Sequence, residues 1–155
     1  MDPARTTWVV AFDARQARFF VEPARSGPLR EIRELRMSAT EEERGAGGLQ
    51  RATVHSRAGA GRSAAGDRNL AHAAEARFLR RVATRLMVAG GRGDFDHLAL
   101  MGPPHALGAL RKALPAGVAA RVEVTDPHAR VHEDADAMRQ ILREARAHAW
   151  RAESA

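Results

Sequence analysis

The chain has 155 residues and a mass of 16.8 kDa, about one domain's worth of material, and its 45% hydrophobic and 28% charged residues are those of a globular protein rather than a disordered or fibrous one. With no cysteine, a disulfide framework, a thiol nucleophile and a thiolate zinc site are excluded, and no stretch approaches the roughly 20 apolar residues of a membrane span. The formal net charge is +6, almost all of its positive side arginine, since Lys112 is the single lysine.

That charge is unevenly spread. Residues 44–92 hold ten arginines against Asp67 and Glu75, whereas the segments on either side are close to neutral. A local excess of this kind points to a polyanionic partner, because each arginine placed on a phosphate releases condensed counterions. The competing explanation is an Arg- and Ala-rich composition whose charges cover a solvated face. The N-terminal MDPARTTW lacks the charged-then-apolar layout of a secretory signal, so a cytoplasmic location is expected.

In chain order, Trp8–Phe12 is a run of β-formers closed by Asp13-Ala14-Arg15-Gln16, which predicts a strand and a tight connection. Ala17–Val21 predicts a second strand, ended by a turn containing Pro23, Gly27 and Pro28. Leu29–Met37 is taken as a third strand, although Leu29, Ile32 and Leu35 recur every third position, a spacing that fits neither strand nor helix cleanly. Residues 38–69 carry almost no apolar side chain larger than alanine and are expected to form a long, mobile, glycine- and arginine-rich loop. Leu70–Ala89 predicts a helix with Ala74, Phe78, Val82 and Leu86 inward, Arg77, Arg81 and Arg85 along one flank with Arg80 nearby, and Gly90-Gly91 ending it.

Phe95–Met101 predicts a strand buried on both faces, and Pro103-Pro104 start a short helix carrying Leu107, Leu110 and Leu114. Val118–Val124 predicts the last strand, and a helix from about Glu133 to Trp150 places Met138, Ile141 and Leu142 inward. The expected fold is α/β: one domain over 1–155, with a ribonuclease H-like mixed sheet of five strands in the order β-β-β-α-β-α-β-α, the first three antiparallel and the last two parallel.

Chemistry is sparse. Asp13, Asp96 and Asp126 lie at or beside strand ends, where carboxylates could gather around magnesium for phosphodiester cleavage; turn positions for Asp13 and Asp126 and a solvent-facing position for Asp96 account for them better, and a metal-dependent nuclease or hydrolase is the lesser alternative. The seven histidines show no metal-ligand spacing, so no metal site, cofactor or catalytic residue is assigned. The candidate nucleic-acid contacts are Arg44, Gly47, Gly48, Gln50, Arg51, Arg57, Arg62 and Arg68 of the loop, with Arg77, Arg81 and Arg85 of the helix: glycines permit close backbone approach and arginines grip phosphates through planar forks.

WVVAFDARQARFF (8–20), the loop with GRS (61–63), ARFLRRVATRL (76–86) and FDHLALMGPPHALGALRKAL (95–114) resemble the bacterial host-attachment protein family. That family is similar in turn to the middle domain of archaeal and eukaryotic class-1 peptide release factors, in which a GGQ loop precedes a long helix. Gly47-Gly48-Leu49-Gln50 occupies the corresponding place, with Leu49 interrupting the motif. The resemblance implies a module that binds ribosomal or transfer RNA. The family's name implies the alternative, a protein-interaction factor in attachment to host cells.

Overall fold

The computed structural model of the protein describes residues 5–44 and 60–154. Six strands form one mixed sheet: β1 (Thr7–Phe12), β2 (Gln16–Glu22), β3 (Arg30–Glu31), β4 (Met37–Ser38), β5 (His97–Met101) and β6 (Val122–Asp126). The helices are α1 (Ala60–Gly91), α2 (Pro104–Ala113), the single turn α3 (Ala116–Ala119) and α4 (Ala135–Ser154). In the sheet the order is β3-β2-β1-β5-β6, with β4 also pairing with β2.

β1 is the central strand because its six residues are all buried, which alternation with polar residues would forbid. It runs antiparallel to β2, with Val9 opposite Phe20, and parallel to β5, with Val9 opposite Ala99. β5 continues in parallel to β6. Alternate β1 side chains supply two cores. Trp8, Val10 and Phe12 meet Phe78, Val82 and Leu86 of α1 and Leu107 and Leu110 of α2. Val9 and Ala11 face the other way, onto Met138 and Leu142 of α4. Helices therefore cover both faces of the sheet, and among the described residues no helix is long and apolar enough to cross a membrane.

Four expectations need correction. The third strand is not continuous: Arg33–Leu35 forms a 3-10 turn that splits it into two-residue strands, and the three-residue apolar spacing belongs to that turn. The sheet accordingly has six strands rather than five. α1 begins at Ala60, not Leu70, so residues 60–69 are helical rather than loop; residues 45–59 of the expected loop lie outside the described residues. Within that same expected loop, residues 41–44 form a helical turn fixed by a reciprocal cap: the Thr40 N–H donates to Glu43 Oε1 at 2.7 Å and the Glu43 N–H to Thr40 Oγ1 at 3.1 Å.

α1 ends at Gly91 as expected, but the left-handed residue expected at Gly90-Gly91 comes two residues later. Gly93, not Gly90 or Gly91, takes the left-handed conformation (φ 77°), and the Asp94 N–H reaches back to the Ala89 carbonyl at 3.0 Å. Gly102 is needed for a different reason: a Cβ there would lie 2.8 Å from the Phe12 carbonyl oxygen and 2.7 Å from its ring. The close approach lets the chain leave β5 directly over the end of β1.

Candidate functional site

The sheet places the ends of β1 and β5 next to the N-terminal half of α1 and the start of α2, and a cationic surface lies there. Two adjoining hollows share His72. One, of about 200 Å³, is lined by Arg15, Glu43, Arg44 and Glu75 besides His72; the other, of about 720 Å³ between α1 and α2, is lined by Arg80, His105 and Lys112 over a floor of alanines and Gly108.

Both carboxylates of this surface are buried and already partnered. Glu75 Oε2 lies 2.8 Å from His105 Nδ1, and since a carboxylate only accepts, Nδ1 is the donor and Nε2 is left unused on a ring that is 59% exposed. The His105 ring stacks on His72 with centroids 4.2 Å apart and 25° between planes. Glu43 accepts from Arg81 Nε and Nη2, both at 2.9 Å, and Arg81 Nη2 also donates to the Ser38 carbonyl at 2.8 Å. Above all the Arg81 hydrogen bonds, helped by the N–H and hydroxyl of Thr40 against the cost of burial, hold the Glu43 carboxyl down at about 2. What the surface presents outward is therefore nitrogen: the guanidinium and ammonium donors of its arginines and Lys112, and His105 Nε2, which accepts on a neutral ring and donates on a protonated one.

The sequence-derived candidates separate into three groups. Arg44, Arg68 and Arg77 are exposed, as are Arg80, Arg111 and Lys112. Arg81 and Arg85 are turned to internal partners: Arg85 Nη1 donates to the Leu35 carbonyl at 2.6 Å, and its guanidinium lies 6.0 Å from the Phe19 ring centroid. These two arginines tie α1 to the β3–β4 edge, so the flank of Arg77, Arg81 and Arg85 is not one continuous basic stripe. Gly47, Gly48, Gln50, Arg51 and Arg57 lie outside the described residues, as does the side chain of Arg62.

The acidic alternative does not assemble. Asp13 accepts the N–H groups of Arg15 and Gln16 at 2.8 Å, closing the β1–β2 turn. Asp96 precedes β5 and accepts the Thr6 N–H at 3.0 Å, at the opposite end of β1 and so roughly 20 Å away at about 3.3 Å per residue. Asp126 is paired with His128 and Arg130. Among the described residues no group of three His, Cys, Asp or Glu side chains could hold a metal ion.

Histidine and glutamate residues of the groove were not among the sequence candidates. His72 and Glu75 are three apart on α1, a spacing that places them on neighbouring positions of one helix face, but the partner His105 is thirty residues further along the chain on α2. Only the packing of α2 on α1 through Leu107, Leu110, Phe78 and Val82 brings them together.

A mixed sheet with helices on both faces defines an α/β protein, and a basic groove lies between its α1 and α2. The chain belongs to the family described as proteins required for attachment to host cells, which it matches over residues 8–142. No curated protein matches it.

Proposed function

We propose that this member of the host-attachment family is an intracellular RNA-binding module acting as one domain, with ribosomal or transfer RNA as its partner. The ribonuclease H-like layout and the likeness to the release-factor middle domain belong to this reading. The observation that carries it is the pair of hollows joined at His72, around which Arg15, Arg44, Arg80 and Lys112 gather while the nearby carboxylate of Glu43 is paired with Arg81 and that of Glu75 is hydrogen-bonded to His105. Arginine-rich surfaces of this kind bind the RNA backbone through phosphates, with affinity that falls as salt rises. The glycine- and arginine-rich sequence before α1 adds Arg51 and Arg57, and the first turn of α1 adds Arg62.

Salt titration of RNA binding tests this. The logarithm of the association constant should fall linearly with the logarithm of salt, and replacing Arg44, Arg68 and Arg77 together by alanine should reduce the slope by about 2 to 3 if each contacts one phosphate. No RNA affinity at low salt, or a slope unmoved by the triple substitution, overturns the reading.

A further inference from the structure

We infer that the groove between α1 and α2 is a binding site for a phosphate group, of the kind carried by a nucleotide or by the end of an RNA chain. The inference rests on the RNA-binding reading for the source of the phosphate, not for the site itself.

All four polar side chains lining the groove, His72, Arg80, His105 and Lys112, are nitrogen donors or become so on protonation, and they come from two helices that face each other. Among the described residues no exposed carboxylate lines it. The one acid beneath, Glu75, has its side chain only 10% exposed and is committed to His105 Nδ1. That bond does for His105 what a carboxylate does for a metal-binding or catalytic imidazole: it fixes the ring's orientation and tautomer, leaving Nε2 for a ligand. The stacked His72 ring restricts it from one side, so Nε2, an acceptor on the neutral ring and a donor once the ring is protonated, is held in place before any ligand arrives and little ordering remains to be done on binding.

A phosphate fits this donor set better than a carboxylate. Its three terminal oxygens can accept simultaneously from a planar guanidinium, an ammonium and a protonated imidazole, and Arg80, Lys112 and His105, the last in its imidazolium form, supply one of each. A volume of about 720 Å³ exceeds what a bare phosphate needs and is in the range of small-molecule sites, and the floor of alanines and Gly108 offers apolar area for a ribose and base. The groove is thus dimensioned for a mononucleotide, free or terminal.

The test is titration of the full chain, observed through the ring resonances of its histidines, with inorganic phosphate, with AMP, and with a short RNA bearing either a 5′-phosphate or a 5′-hydroxyl. Phosphate and AMP should shift the His72 and His105 signals along a saturating curve while His148, exposed on α4, stays still. Lys112→Ala and Arg80→Ala, both at exposed positions, should each weaken AMP binding at least tenfold with the thermal midpoint unchanged. No saturable shift, or affinity unmoved by both substitutions, overturns the site. Tighter binding of the 5′-phosphorylated RNA supports the site and assigns it to an RNA end; equal binding of the two RNAs beside saturable AMP binding supports it and assigns it to a free nucleotide. RNA that binds while phosphate and AMP do not overturns the groove and leaves the RNA-binding reading standing; the reverse result supports the groove and removes that reading.

Discussion

Arg81 and Glu43 join α1 to the helical turn at 41–44 by two hydrogen bonds of 2.9 Å, from side chains 38 residues apart in the chain. The pair anchors the last described turn before residue 45 to a helix that is firmly packed on the sheet. Its carboxyl titrates at about 2, below the ordinary value of 4.5, and the sign of its effect on stability follows: a depressed carboxylate contributes fully above about 4.5 and loses its contribution as pH falls towards 2.

Glu31 behaves in the same way. Hydrogen bonds from Arg36 first and Arg18 second, with both charges adding to them against a smaller cost of burial, hold it at about 2. Urea midpoints should therefore decline between pH 5 and pH 2, and Glu43→Gln should flatten part of that decline while lowering the unfolding free energy at pH 7 by about 1 kcal/mol, a figure reduced because Arg81 is partly exposed to solvent. A decline of identical size in the variant would contradict the assignment.

Arg146 of α4 predicts a larger effect. It donates to Glu22 Oε1 at 2.7 Å and Oε2 at 2.8 Å, to Glu123 Oε1 at 2.8 Å and to Thr7 Oγ1 at 3.1 Å, while Arg25 reaches the same Glu123 oxygen. Burial alone would push the Glu123 carboxyl up, but the hydrogen bonds of Arg146 and Arg25 outweigh it and hold the group below its ordinary value. Arg146→Ala strands Glu22, 2% exposed, without its cation and should cost about 3–5 kcal/mol in urea unfolding. Adding Glu22→Gln should recover part of that loss; strict additivity would mean the two side chains do not depend on each other.

Gly102→Ala tests the crossing of β5 over β1. The new methyl would collide with the Phe12 backbone as well as its ring, and backbone cannot rotate aside, so a loss of about 1–3 kcal/mol is expected. Gly108→Ala, with nothing within 4 Å of its Cβ position, serves as the control and should be neutral or slightly stabilising on its helix.

Gln50 supplies the last prediction. If the proposed likeness to release factors holds and extends to chemistry, peptidyl-tRNA hydrolysis on stalled ribosomes should be detectable with the wild-type chain and fall on Gln50→Ala. Equal rates would confine any ribosomal role to binding.

Strands β1, β2 and β5 and the inward faces of α1, α2 and α4 were legible in the sequence because their apolar residues are large and regularly spaced: Trp8 to Phe12, Leu98 to Met101, and Phe78, Val82 and Leu86 each mark a buried surface. The first ten residues of α1 were not, since AGRSAAGDRN offers no apolar side chain larger than alanine to register a period. Alanine is nonetheless the strongest helix former, and the three-residue spacing of Thr40 and Glu43 carries a capping signal inside a segment otherwise read as linker. The basic character of the candidate surface could be counted in advance. The inward turn of Arg81 and Arg85 could not, because their acceptors, Glu43 and the Ser38 and Leu35 carbonyls, are distant in sequence.

The parallel pairing of β1 with β5, in which Thr7 lies opposite His97, also governs how the polypeptide can acquire its shape during synthesis. A growing chain can close the β1–β2 hairpin early, but the inner edge of β1 stays open until β5, at His97–Met101, has followed β2, which ends at Glu22, and the second core waits longer still for Met138 and Leu142. Loop closure over such a span is slow compared with local pairing. For that interval Val9, Ala11 and Phe20 stand uncovered, so a nascent chain halted before α4 should be the species that chaperones hold and proteases cut.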